Sequence, residues 1–289
     1  MTSTPAAATP QRRTKPRWLR YLRWLLIAYL LVALMLSLFQ RWLIFPGAAM
    51  SRGISVEQYA PRDAKVFSVT LADGSRASAL FAPARRIEGP SATIIYFYGN
   101  GQCMAHALDE VELFRSAGFH VLMGDYPGFG TSEGKPSEGG CFALADALWQ
   151  WAQSAPEVDP RRIVAVGWSL GSGSAVDLAS RQPVAALVTL SAFTSLEEMA
   201  REQFPIFPTG LFLQHPFRSA EKMRQVRCPV IMFHGTHDSI VPFAMQGKLA
   251  AAAPTPPRLI QVDSDHNDII QRGWDTIRTE LVSLRERLK

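Results

Sequence analysis

Cysteine is scarce in these 289 residues, which hold only Cys103, Cys141 and Cys228. Three thiols cannot build the disulfide framework of a small secreted domain, and no C-x-x-C pair is present to hold zinc. An oxidising compartment would permit one bridge, with Cys103 and Cys141 the favoured pair, and would leave one thiol over. The plainer reading is three ordinary small side chains. Histidines number six and form no cluster with metal-ligand spacing, so the sequence calls for no metal and no other cofactor. Acidic residues are missing altogether from positions 1–23, where Arg12, Arg13, Lys15, Arg17, Arg20 and Arg23 stand. The remaining chain has 24 basic and 25 acidic residues, so the net charge of +5 belongs to the N-terminal tail. The body has no excess to offer a phosphate backbone, and nucleic acid is not an expected partner. There is no G-K-[ST], which excludes a Walker loop, and no internal repeat.

Charge overall is low at 19%, against 47% hydrophobic residues, which fits a globular protein with a membrane-like addition. The addition is "WLLIAYLLVALMLSLF", residues 24–39, an uncharged run of 16 residues. Counted over 18–45, arginines 20, 23 and 41 can snorkel, and Trp18, Tyr21, Trp24 and Trp42 can sit at the interfaces. A cleaved signal peptide is the competing reading, with "GAA" at 47–49 as its site. An uncleaved anchor is preferred, because the run exceeds a usual signal core and the next segment reads as part of the domain. The basic residues ahead of it place the N-terminus in the cytoplasm and the body on the far side, periplasmic or extracytoplasmic. The organisation expected is a disordered basic arm over 1–17, a transmembrane anchor over 18–45 and a folded body over 46–289.

The body alternates strand-like and helix-like segments. "VFSVTL" and "ASALFAP" flank an Asp-Gly turn signal and predict a hairpin. "TIIYFY", "FHVLMGDY", "RIVAVGW", "AALVTLSAF", "PVIMFHG" and "PRLIQVD" follow, with room for helices between them. Near-continuous apolar strands with helical crossovers predict an α/β fold with a mostly parallel sheet covered on both faces, the hairpin adding antiparallel strands at one edge. Residues 196–226 break the rhythm, being long, proline-bearing and rich in Phe and Leu. They predict a small cap, with an irregular crossover as the alternative.

Chemistry in such sheets gathers at the carboxyl ends of strands. "VAVGWSLGSGSA" at 164–175 meets that condition with Gly167-Trp168-Ser169-Leu170-Gly171, a G-x-S-x-G between strand and helix. A tight turn there projects the Ser169 hydroxyl above the sheet, and side chains at the two glycines would strike the neighbouring strand and helix. The helix beginning at the serine turns its positive end and the Leu170 amide toward a developing oxyanion. The competing phosphate cradle starts at Gly171, lacks its third glycine and has no acid where a ribose partner belongs. Serine needs a base and an orienting acid. Of the histidines, His106 and His120 precede the serine, His215 lies in the cap interval, His234 closes a strand and reads as structural, and His237 follows in the next loop. His266, after the last strand, is the base expected. Asp238 in "HGTHDSIVP" has the acid's place, since Asp265 and Asp268 are too close in sequence to orient that ring. A second oxyanion amide is expected from "YFYGNGQC", from Asn100 first and Gln102 second, a plain glycine turn being the alternative.

At these residues the chain resembles the α/β-hydrolase superfamily. It is most similar to the membrane-anchored alpha/beta-hydrolase-domain-containing 12, 13 and 17 proteins and to bacterial serine-aminopeptidase-like hydrolases. "FQRWLIFPG", "DYPGFGTSEGKPSE", "VDPRRIVAVGWSLGSG", "SAFTSLEEMA", "CPVIMFHGTHDSIVPF" and "DHND" carry the resemblance, in the group's order. It implies Ser169 as nucleophile, Asp238 as orienting acid, His266 as base, and Asn100 with Leu170 as oxyanion amides. Two positions depart from the pattern: Tyr98 stands where the group has His, and Arg218 where it has Asp. The expected activity is that of a membrane-anchored serine hydrolase of carboxylic esters or thioesters, with a small acyl or lipid-like substrate and no obligate protein partner. An amidase or peptidase of the serine aminopeptidase type is the enzymatic alternative. A non-catalytic anchored binding module is the alternative of a different class.

Overall fold

The computed structural model describes residues 17–85 and 91–288. Most of the expected basic arm therefore lies outside the described residues. The chain divides into two compact units, 1–40 and 41–289. Helix α1 (Arg17–Ile44) carries the apolar run, and its most apolar window has a mean hydropathy of 2.2. At 1.5 Å per residue its 28 residues reach about 42 Å, enough to cross a hydrocarbon core of about 30 Å. Its Leu25, Leu30, Leu31 and Leu38 are exposed.

The second unit is built on one eight-stranded sheet. Its strands are β1 (Lys65–Thr70), β2 (Arg76–Ala82), β3 (Ser91–Phe97), β4 (His120–Gly124), β5 (Val158–Trp168), β6 (Ala186–Leu190), β7 (Val230–Gly235) and β8 (Arg258–Val262). Their spatial order is β1-β2-β4-β3-β5-β6-β7-β8. β2 pairs antiparallel with β1 and with β4, and every later pairing is parallel. The hairpin thus sits at one edge, as its Asp-Gly turn predicts. β3, β4, β6 and β7 are buried at every residue, which is why their sequences read as unbroken apolar runs. β8 differs from that expectation: it is the far edge strand and only Val262 is buried. β5 begins earlier than its apolar core, at Val158, and pairs with β3 through an irregularity between Ser91 and Thr93 that absorbs the polar residues 159–162.

Helices follow in chain order: α2 (Pro46–Met50), α3 (Leu108–Ser116), α4 (Glu138–Ser154), α5 (Leu170–Arg181), α6 (Leu196–Gln203), α7 (Thr209–Phe212), α8 (Ser219–Met223), α9 (Ala244–Ala252) and α10 (Ile269–Arg287). α4, α5, α8 and α9 pack side by side over one face. On the other, α3 meets α10 where Phe114 faces Trp274 at 6.1 Å and Arg285 donates to the Ala117 carbonyl at 2.8 Å. The 196–226 interval divides in two. α6 and α7 bury no residue, whereas Phe217, Met223 and Val226 belong to the core. The first half is therefore the exposed part, and the second half packs with α8 against α5. All three cysteines are free.

Candidate functional site

Strand β5 runs out at Trp168 and α5 starts at Leu170, so Ser169 must carry the whole reversal. It does so at φ 52° and ψ −119°, a left-handed geometry that costs a non-glycine residue about 1–3 kcal/mol. Its amide is held by the Leu190 carbonyl at 2.9 Å. The flanking glycines let the turn close. A Cβ on Gly167 would lie 2.4 Å from the Gly171 carbonyl oxygen, and one on Gly171 only 2.0 Å from the Phe97 carbonyl oxygen. The first clash is with the helix and the second with the neighbouring strand. Gly171, Ser172, Gly173 and Ser174 are buried inside α5. Their amides are not presented as a phosphate cradle.

Ser169 is half-buried at the carboxyl end of the sheet, and His266 comes to it from the loop between β8 and α10. His266 Nε2 lies 2.8 Å from Ser169 Oγ. The other ring nitrogen, Nδ1, lies 2.8 and 3.0 Å from the two carboxylate oxygens of Asp238, in the loop after β7. Asp238 is fixed in turn: its Oδ1 accepts the amides of Ile240 at 3.0 Å and Val241 at 2.7 Å. Burial pushes that carboxyl up, but the hydrogen bonds of His234 and His266, the charge of His266 and the Val241 amide outweigh it and hold the group well below the usual carboxylate range. Asp238 is thus an anion throughout the neutral range.

The other histidines are occupied elsewhere. His234 is fully buried and bonds the Val241 carbonyl at 3.0 Å, with Asp238 at 3.4 Å. His237 is exposed beside Asp263, His120 accepts the Ala84 amide, His106 faces Cys103, and His215 accepts the Glu138 amide. Asp265 and Asp268 do not reach the ring of His266. Asp265 instead accepts from Ser239 and from the His266 amide at 2.7 Å, tying the acid's loop to the base's loop, and Asp268 accepts the Asp265 amide. The sequence reading missed this role, and it missed Trp168, whose indole N–H donates to the His266 carbonyl at 3.3 Å. The tryptophan sits inside the G-x-S-x-G pentapeptide, so its position was the available signal.

Asn100 lies in the turn after β3, beside the start of α5. Neither its amide nor that of Leu170 donates to any loop, turn or cap hydrogen bond of the described residues. The Gln102 amide, the second choice, is directed at the Gly99 carbonyl at 3.4 Å. Tyr98 turns its hydroxyl away from Ser169 to Asp125 at 2.7 Å, and that carboxylate also accepts the Met104 amide. Burial drives the Asp125 carboxyl up to about 6, against those two hydrogen bonds. Arg218 pairs with Glu197 of α6 at 3.3 Å. A cavity of about 490 Å³ lies away from Ser169, lined by the 70–72 turn, α4 and the far end of α5. Its charged residues meet at Arg181, which pairs with Asp146 and Asp177.

A sheet of this topology, with a serine at the strand–helix turn and histidine and acid on later loops, marks a hydrolase. The profile of the alpha/beta hydrolase fold matches residues 92–212, and the chain belongs to that family. Among its relatives, an uncharacterized protein of Mycobacterium tuberculosis, Rv2307c, is 34% identical over 230 residues, covering 79% of this chain and 80% of the relative. Uncharacterized protein YfhR of Escherichia coli strain K12 is 29% identical over 232 residues, covering 77% and 80%. Among solved structures, the Pyrococcus furiosus esterase Pf2001 superposes with a TM-score of 0.65 at 19% identity, covering 78% of this chain and 90% of the esterase. At that identity the likeness is one of fold.

Proposed function

We propose that this hydrolase is a membrane-anchored serine hydrolase of carboxylic esters or thioesters, with Ser169 as nucleophile, His266 as base and Asp238 as the acid that orients it. The observation that carries the reading is the unbroken chain from Ser169 Oγ to His266 Nε2 at 2.8 Å and from His266 Nδ1 to Asp238 at 2.8 Å. With Nδ1–H given to an ionised Asp238, Nε2 presents its lone pair to the serine hydroxyl. Ser169 attacks the acyl carbonyl as His266 takes the proton. The tetrahedral oxyanion is met by the amides of Leu170 and Asn100, and His266 then protonates the leaving group. Water attacks the acyl-enzyme by the same route in reverse.

The organisation proposed keeps 18–45 as the anchor, with the N-terminus cytoplasmic and residues 46–289 on the far side of the membrane. Burial of Phe45 and Gly47 in the body supports an uncleaved helix, since cutting within 47–49 would remove core residues. The cap supports an acyl or lipid-like substrate, for it leaves Phe204, Ile206, Leu211 and Phe212 exposed, the last three at 72%, 80% and 44%. A panel of p-nitrophenyl esters against aminoacyl anilides tests the class. Turnover of esters by wild type and none by Ser169→Ala is expected. Preference for the anilides would move the enzyme to the peptidases.

A further inference from the structure

We propose that residues 44–51, which leave the apolar helix, are a positioning element of the oxyanion loop, so that the end of the anchor belongs to the catalytic apparatus. The inference rests on the reading of Asn100 as an oxyanion donor. The loop around Asn100 has Gly99 and Gly101 on either side and one long internal bond, Gln102 N to the Gly99 carbonyl at 3.4 Å, while its two ends are held by Tyr126 on the Tyr98 carbonyl and by Glu110 on the Gln102 side chain. Two of the four polar groups of Asn100 are taken up by the segment after the helix. Its carbonyl accepts the Gly47 amide at 2.9 Å, and its side-chain Nδ2 donates to the Ile44 carbonyl at 3.0 Å. On the backbone this leaves the N–H, the group the proposed chemistry uses.

The contact is close. A Cβ on Gly47 would stand 2.6 Å from the Asn100 carbonyl oxygen, 2.9 Å from that of Gln102 and 2.5 Å from the Phe129 ring. The segment is itself secured on its other sides. Phe45 is 1% exposed, with its ring edge-on to His215 at 5.4 Å and tilted against Phe217 at 6.3 Å. Ser51 Oγ donates to the Gly47 carbonyl at 2.6 Å and accepts the Gly130 amide at 3.1 Å. The Gly53 amide donates to the Gly130 carbonyl at 2.8 Å. No linker intervenes before the helix, because the Phe45 amide still bonds the Arg41 carbonyl at 2.9 Å. A displacement of the last helical turn is thus passed to Asn100 through two hydrogen bonds. A misplacement of about 1 Å at a catalytic group lowers turnover by about a hundredfold, so the clamp has kinetic weight.

The test uses the full chain in detergent micelles with p-nitrophenyl butyrate. Asn100→Ala keeps the backbone N–H and removes only the bond to Ile44. Gly47→Ala drives a methyl group into the loop. Asn100→Ala is expected to lower kcat by about tenfold or more with KM within about threefold and an unchanged melting temperature, and Gly47→Ala to lower kcat by about a hundredfold, the scale of a lost oxyanion donor. Labelling by a fluorophosphonate should slow in step, because it uses the same amides. If Gly47→Ala does not fold, Asn100→Ala decides alone. A folded Asn100→Ala with kcat within twofold of wild type overturns the clamp, as does a fall in melting temperature with kcat intact. Persistence of hydrolysis in Ser169→Ala is a different result, which removes the reading of the site itself.

Discussion

Replacing Asp238 by Asn changes one atom and should silence the site through a single proton. Oδ1 of Asp238 accepts two backbone amides, Ile240 at 3.0 Å and Val241 at 2.7 Å, so the amide oxygen of an asparagine must take that position. Its NH₂ is then forced into the place of Oδ2, which lies 2.8 Å from His266 Nδ1. An N–H donor 2.8 Å from Nδ1 repels a second N–H there, and the oxygen at the Oδ1 position, 3.0 Å away, is already taken by two amides, so Nδ1 turns acceptor and the imidazole proton moves to Nε2. Nε2 is the atom 2.8 Å from Ser169 Oγ, and once protonated it has no lone pair for the serine hydroxyl. A wrong tautomer of this kind costs a serine protease about 10⁴ in kcat, equivalent to about 5.5 kcal/mol of barrier. The assay is steady-state hydrolysis of p-nitrophenyl butyrate by wild type and Asp238→Asn, with circular dichroism to show that both are folded. A folded variant within tenfold of wild type would refute the assignment of Asp238 and the tautomer argument together.

Two further outcomes follow from the packing and the buried charge. Gly171→Ala must move the β3 backbone at Phe97 and Tyr98, where its methyl would fall within 2.0–2.7 Å of three backbone atoms. It should cost at least about 3 kcal/mol, seen as a lower urea midpoint, and an unchanged midpoint would contradict the packing. Asp125 is raised to about 6 in the fold, so the native state binds its proton more tightly than the unfolded chain, where the value is 3.8. Its ionised form therefore burdens the fold above about pH 6 by about 3 kcal/mol, and that burden disappears as the pH falls toward 4. Relative to Asp125→Asn, which does not titrate, wild type should gain stability between pH 7 and pH 4. Parallel urea titrations that stay a constant distance apart would count against this.

Much of the architecture was legible because burial on both faces leaves an unbroken apolar signature, as in "IIYF" and "VIMF". The edge strand β8 lacks that burial, so Leu259 is exposed at 47% in a strand that its sequence likens to the core. Hydropathy also could not divide 196–226, since Leu211 and Phe217 look alike in a sequence and only Phe217 is buried. At the site, Ser169, Asp238 and His266 could be picked out because each follows a strand at one end of the sheet, and the structure brings them within hydrogen-bonding reach. The supports were not. Trp168 and Asp265 act through backbone groups on other loops, and the hold of Ile44 and Gly47 on Asn100 joins positions more than fifty residues apart, with no periodicity to reveal it.

The central claim is that Ser169 is an activated nucleophile, and covalent labelling measures that directly. The full chain in detergent, treated with a fluorophosphonate, should gain one adduct by intact mass, located by digestion on the peptide bearing Ser169. Ser169→Ala should gain none. No adduct on folded wild type, or an equal adduct on Ser169→Ala, would contradict the account.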